Sequence, residues 1–406
     1  MRPPVRRQAC VWLLLLGLNS PLFAASPLAE MVSAALQRAP EGALSGAEND
    51  MAEALQRKSK QWLAGAPSTN LSYQSDAIGS ELGYREWEAG IEMPLWLPGQ
   101  ADSFSREADR SAEAADAMGL QRQLAVSGLV RERLWTAALA RSEATQAEDG
   151  LRVARELQDD VQRRVEAGEL ARSDLLLARK DLLQREDRLQ QARSLSAQAE
   201  QRLQHLTGTA VPQQLQAEAV AADVQGAIPD QHPQLRLSRR LLQKARAHRN
   251  RVSRMRHSGP SLWLGGKKSK AAAGSDYASS VGVELSIPFG GAAHSAPEVA
   301  EAEAELTRAQ VAHARQRLDL EETLAQARLE LQRAATASAL AQSRRQLAEE
   351  SLKLSRRAFD LGETDLVRLL QAQDDALNAR HDQQLRHLQH GQAIARLNQA
   401  LGVIPQ

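Results

Sequence analysis

The chain has 406 residues, only 3% of them aromatic, and its 51 basic and 50 acidic residues leave a formal charge of +1. So few rings cannot furnish an ordinary compact core, whereas hydrophobicity carried by Ala, Leu and Val suits long helices meeting along narrow seams. Near-neutral charge offers no net field for nucleic acid, and the single cysteine, Cys10, excludes a disulfide framework and any cysteine-rich metal site.

The chain opens on an address. Arg2, Arg6 and Arg7 precede a short apolar run, Val11–Leu18, and Leu22-Phe23-Ala24 fits a cleavage site. This is the pattern of a cleaved signal peptide over residues 1–24, too short to span a bilayer. Cys10 sits before the apolar run, out of place for a lipid anchor. No later stretch reads as a transmembrane helix, so the expectation is an exported protein without a helical span.

Two repeats then follow one plan. Residues 25–208 and 232–402 each read as helix, β-hairpin, long helix, tip and return helix, joined by a less regular connector at 209–231 and closed by 403–406. Pro40 and Pro233 each open a helical segment, as proline does well in a first turn. Pro67 and Pro260 precede the strands, and Pro94 and Pro288 end them. A period this long marks a duplicated domain.

The first hairpin is expected over about 68–95 and the second over about 261–288. In WEAGIEMPLWLPG, Trp87, Ala89, Ile91 and Met93 alternate with Glu88, Gly90 and Glu92. In VGVELSIPFGG, Val283, Leu285 and Ile287 alternate with Glu284 and Ser286. Period two with one apolar and one polar face is a strand signature. The second hairpin reads as shorter, with an unusual basic turn at Lys267, Lys268 and Lys270.

Long helices are expected over about 100–166 and 297–360. Leu320, Leu324, Ala327, Leu331 and Ala334 mark a coiled-coil seam, and Gly119, Gly128 and Gly150 mark possible bends. Each long helix stops at a glycine, Gly168 or Gly362, suited to a left-handed cap. Ser173-Asp174 and Thr364-Asp365 supply capping chemistry for return helices at about 173–207 and 364–401.

Four strands per chain leave open edges, which are untenable in lipid. Three chains would give twelve, enough to close a barrel around a lumen. Trp87, Ile91, Met93, Val283, Leu285 and Ile287 would then face lipid, and Glu88, Glu92, Glu284 and Ser286 the lumen. Tyr73, Tyr84, Trp87, Trp96, Trp263 and Tyr277 cluster at the strands like interfacial girdles. The other reading of the same pattern is a small soluble sheet capping a helical bundle.

These parts resemble the TolC family of outer-membrane efflux ducts, most closely its CzcC-like members serving heavy-metal efflux of the RND type. The motifs are MPLWLPGQ at Met93–Gln100, IPFGG at Ile287–Gly291, RVEAGELARSDLLLAR at Arg164–Arg179 and AFDLGETDLVRLLQAQ at Ala358–Gln373. The resemblance implies a homotrimer in outer-membrane lipid, mainly α with a small β part: a periplasmic α-barrel of coiled-coil helices below a twelve-stranded β-barrel. It further implies that the tips meet a periplasmic adaptor, the membrane fusion protein, which joins the duct to an inner-membrane RND transporter. Gly168, Glu169, Ser173, Asp174, Gly362, Glu363, Thr364 and Asp365 would form the docking tips.

Asp365, Arg368 and Gln371 are candidates for a pore constriction, because three-fold symmetry turns one charge per chain into a ring. Ordinary cap residues are the plain alternative. No catalytic motif, cofactor site or metal site is expected, and His381, His387 and His390 read as a solvated helix face. Two other functions fit less well: a periplasmic coiled-coil adaptor or scaffold, which needs a lipoyl-like β-domain, and an enzyme on a helical bundle. Within the duct reading, organic toxicants are the alternative cargo to metal ions.

Overall fold

A computed structural model describes residues 27–38, 41–212, 215–220, 226–255, 259–289 and 292–405. The expected signal peptide, Cys10, Pro40, and Gly290 and Gly291 of the second strand motif lie outside the described residues. In chain order, α1 (Pro27–Arg38) and α2 (Glu41–Ser59) precede strands β1 (Ser68–Ser75) and β2 (Arg85–Pro94). The long α3 (Gln100–Glu166) and its return α4 (Arg172–Thr207) complete the first repeat. The second repeats the order with α5 (Pro233–Arg254), β3 (Ser261–Lys270), β4 (Ala278–Ser286), α6 (Ala292–Asp360) and α7 (Leu366–Ala400).

The two hairpins merge into one antiparallel sheet of order β1-β2-β3-β4. Its register pairs Glu92 with Trp263, Gly90 with Gly265, and Trp263 in turn with Glu284. The expected short second hairpin is corrected: β3 has 10 residues and β4 has 9, against 8 in β1 and 10 in β2. Lys267, Lys268 and Lys270 therefore sit inside β3, not in a turn. Ile287 falls just past β4, because the next ladder partner would be Pro260, which has no N–H to give.

At about 1.5 Å per residue the 67-residue α3 reaches roughly 100 Å. It runs unbroken through Gly119, Gly128 and Gly150, and of these only Gly128 meets a close neighbour. A Cβ on Gly128 would stand 2.8 Å from the Gln399 amide, and one on Gly391 would collide with the Trp135 ring. Glycine is needed at both because α3 and α7 approach there. The expected start of the second long helix at Pro297 moves to Ala292, with Pro297 inside the helix. A proline in the second turn removes one intrahelical bond, a modest loss so near a helix start.

Small cores occur at intervals along the helices. Met31, Val32 and Ala35 of α1 pack with Val130, Leu134, Ala199 and Leu203. Leu324 and Ala327 of α6 meet Leu397, Ala400 and Leu401, with Leu331 alongside, which realises the seam read from spacing. His232 caps α5, its Nδ1 accepting from the Gln234 N–H at 3.3 Å, and burial pushes this imidazole below its usual value.

One buried charge ties these parts together. Arg131 of α3 donates Nε to Glu218 Oε1 at 2.9 Å and Nη2 to Oε2 at 2.7 Å, while Nη1 reaches the Val403 carbonyl at 3.0 Å and Gln399 at 2.6 Å. Asn398 donates to the Ala219 carbonyl at 2.9 Å. The Arg131 side chain is 4% exposed and Glu218 19%. The connector is thereby fastened to α3 and to the end of α7. Breaking a buried pair strands the other charge, so Arg131→Met should cost about 3–5 kcal/mol in denaturant unfolding. Adding Glu218→Leu should recover most of that loss; a double variant as unstable as the single one would assign the loss to packing.

Candidate conduit wall and helix tips

Alternation and register together sort the strand side chains onto two faces. One face carries Leu71, Tyr73, Trp87, Ala89, Ile91, Met93, Leu262, Leu264, Val283 and Leu285. Trp87, Ile91, Val283 and Leu285 are each about half exposed or more on the single chain, and Tyr73 lies 4.4 Å from Trp87 between ring centres. The opposite face carries Glu86 and, around a hollow of about 330 Å³, Glu88, Glu92, Glu284 and Ser286 with Asn70 and Ser72. Of the expected lipid-facing residues, Trp87, Ile91, Met93, Val283 and Leu285 thus share one side of the sheet, and Glu88, Glu92, Glu284 and Ser286 share the other. Ile287 follows the strand and is exposed.

Trp263 is the departure. It alternates with Leu262 and Leu264, so its indole joins the carboxylates and not the aromatic band. There it covers a row of three paired glycines, Gly90, Gly265 and Gly282, where an added Cβ would strike or crowd the ring. The signal was present in the period of β3; counting aromatics without their phase missed it. On the same face Glu86 is buried, held by Lys267 Nζ at 2.6 Å and by the Tyr84 hydroxyl.

The far ends of the long helices form two matching tips. Gly168 (φ +80°) follows α3 and donates to the Val165 carbonyl at 3.1 Å, while Glu169 donates to Arg164 at 2.8 Å. Gly362 (φ +77°) repeats the geometry, donating to Phe359 at 3.0 Å, with Glu363 donating to Ala358 at 2.9 Å. Both glycines close their helices in the left-handed region. The caps beyond them differ from expectation at Ser173 and Thr364. Ala171 starts α4, and Asp174 reaches back to its N–H at 3.2 Å. In the second tip Asp365 is the cap, accepting from the Arg368 N–H at 3.0 Å.

The tips share one small core of Leu157, Val161, Ala178, Phe359, Leu366 and Leu369. Arg164 adds an ion pair to Asp360 at 3.3 Å and lies 5.0 Å above the Phe359 ring. Further along, Arg185 of α4 pairs with Asp181 at 3.3 Å and with Asp374 of α7. Glu169, Ser173, Gly362, Glu363, Asp365, Arg368 and Gln371 are exposed, and Asp174 and Thr364 half-buried. Asp365, Arg368 and Gln371 follow one another at three-residue steps on one face of α7. Among the described residues, no group of three or more His, Cys, Asp or Glu side chains is placed to hold a metal ion. No described helix is long and apolar enough to cross a membrane.

A family profile described as outer membrane efflux protein matches residues 213–403, the second repeat with part of the connector. No curated protein matches the chain. Among solved structures, the outer membrane protein VceC of Vibrio cholerae aligns with a TM-score of 0.74 at 15% identity, over 94% of this chain and 97% of that one. The Campylobacter jejuni CmeC outer membrane channel gives 0.72 at 15%, over 93% and 86%. The open Neisseria gonorrhoeae MtrE outer membrane channel gives 0.71 at 17%, over 92% and 88%. The chain has the fold of these channels.

An added Cβ at Gly168 or Gly362 meets nothing within 4 Å, so only backbone strain opposes a side chain there. Gly168→Val and Gly362→Val should each cost about 1–2 kcal/mol and leave helix content unchanged. Circular dichroism with denaturant titration checks this; loss of the folded state would mean that the tips carry more of the stability than their geometry implies.

Proposed function

We propose that three copies of this chain assemble into a passive outer-membrane export channel. The three sheets would close a twelve-stranded barrel, and the helices would continue it as a periplasmic tube. The sheet carries this reading: it has two open edges, an apolar face and a carboxylate-lined face, and no described helix packs on either side. Ten residues of β2 rise about 33 Å, and at the usual barrel tilt that leaves about 25 Å, the height of an outer-membrane apolar band.

The helices support a second copy as neighbour. Leu318, Leu329, Leu340, Leu347, Leu354 and Leu361 stand exposed at steps of seven and eleven, away from the seam that faces α7. Leu176 and Leu183 stand exposed seven residues apart on α4. Apolar stripes with this period are coiled-coil faces awaiting a partner. The match of residues 213–403 to outer membrane efflux proteins supports an efflux role. The N-terminal leader supports export to the envelope of a Gram-negative bacterium.

The tips, Gly168, Glu169, Ser173 and Asp174 with Gly362, Glu363, Thr364 and Asp365, would dock a periplasmic adaptor that joins the channel to an inner-membrane RND transporter. Asp365, Arg368 and Gln371 would line the narrowest ring. No catalytic role or cofactor is proposed. Heavy-metal cations are the proposed cargo, on the motif likeness to CzcC-like members and on Glu88, Glu92 and Glu284 along the inner face. Trp263, half-buried on that same face, favours the second reading, organic toxicants, by offering an aromatic ring beside the carboxylates.

Arg at Val283, in the middle of β4, should cost about 2–4 kcal/mol and prevent most of the chain from reaching trimers. Arg at Glu284, one residue along, should assemble normally. Equal yields of heat-modifiable trimer from both variants would contradict the barrel. Deleting the gene should raise sensitivity to divalent heavy metals more than to dyes; the reverse order would assign the channel to organic cargo.

A further inference from the structure

The strands separate charge by face. All four strand carboxylates, Glu86, Glu88, Glu92 and Glu284, lie on the inner face, together with Lys267, which Glu86 neutralises. The other three basic strand residues, Arg85, Lys268 and Lys270, lie on the apolar face, which carries no acidic strand residue. Arg85 stands directly opposite Lys270, and Lys268 directly opposite Trp87. Like charges paired across strands are unfavourable unless something of opposite sign meets them.

None of the ion pairs among the described residues engages Arg85, Lys268 or Lys270, and Asp76 in the β1–β2 loop is occupied by Ser80 and the Gly83 N–H. Lys268 and Lys270 instead lie over the Tyr277 ring at 5.1 and 5.8 Å. The three cations cluster at the loop end of the sheet, remote from the helices, beside the Tyr73–Trp87 ring pair. In the channel proposed above, on which this inference rests, that end is the outer-leaflet rim and that face meets lipid.

We propose that Arg85, Lys268 and Lys270 form a docking site for the phosphate groups of an outer-leaflet phosphorylated glycolipid, one site on each protomer. Charge complementarity selects this occupant: an anion presented from the lipid side, at the height where aromatic rings meet headgroups. Arg85 suits bidentate contact with phosphate, and the Tyr277 ring holds the two lysine ammonium groups together on the same face. The acyl chains would lie against Trp87, Ile91 and Leu264 below. The site would anchor each sheet to the leaflet that asymmetric outer membranes place on that side.

The test compares the purified full-length channel with the variant R85Q/K268Q/K270Q, counting bound lipid per assembly by native mass spectrometry. The probes are a diphosphorylated glycolipid, the same lipid dephosphorylated, and inorganic phosphate as competitor. Surface charges near a membrane contribute on the order of fivefold each, so the triple variant should bind the phosphorylated lipid roughly a hundredfold more weakly. Wild type should show the same preference over the dephosphorylated lipid, and inorganic phosphate should not compete. Equal binding by the variant, or equal binding of the dephosphorylated lipid, overturns the proposal, as does full competition by inorganic phosphate, which would mark a free-phosphate site. Should the triple variant fail to assemble, K268Q and K270Q singly should each weaken binding about fivefold, and no change in either overturns it. A wild-type protein that is monomeric and soluble without detergent would instead overturn the channel reading, and this inference with it.

Discussion

The open edges of the four-stranded sheet are the constraint from which the rest follows. β1 and β4 each leave a row of backbone N–H and C=O groups without a partner strand among the described residues. In water such edges invite aggregation, and in hydrocarbon each unsatisfied group is too costly to keep. The apolar face adds the same demand from another direction, because Trp87, Ile91, Val283 and Leu285 have nothing to bury them. In the proposed trimer β1 of one copy would pair with β4 of the next, lipid would cover the apolar face, and the carboxylate face would surround a lumen.

The helical part has the complementary problem of holding a very long, thin structure together with few large side chains. It does so with periodic small cores and a few ties between the two hairpins. Glycine lets α3 approach α7 at Gly128 and Gly391, Arg131 fastens the connector, and Arg164 and Arg185 bridge the hairpins towards the tips. The outward leucines of α6 and α4 lie away from these internal seams. Packing within the chain and the apolar stripes left for a neighbour therefore use different faces of the same helices.

Much of this was legible in the sequence because its signals are local. Strand alternation, proline punctuation, helix-ending glycines and the seam from Leu320 to Ala334 each depend on residues close in the chain. Two local features escaped: the start of α6, where the helix tolerates an early proline, and the N-cap at Ala171, which Asp174 closes from inside the helix. The others are set by distant partners. Trp263 was grouped with the girdle by composition, yet its phase in β3 turns it inward over glycines from three strands. The Arg131–Glu218 pair joins residues far apart in sequence, and no spacing rule points to it.

The central claim is that three sheets close on one another, and covalent capture of the β1–β4 junction tests it most directly. Ser72→Cys on β1 would be combined in turn with Ser280→Cys, Gly282→Cys and Glu284→Cys on β4, and oxidised in intact outer membranes. At least one pair should give a ladder of linked species that ends at three chains. A ladder that continues beyond three, or no linkage in any pair while the protein is folded and in the membrane, would contradict the closed three-fold barrel.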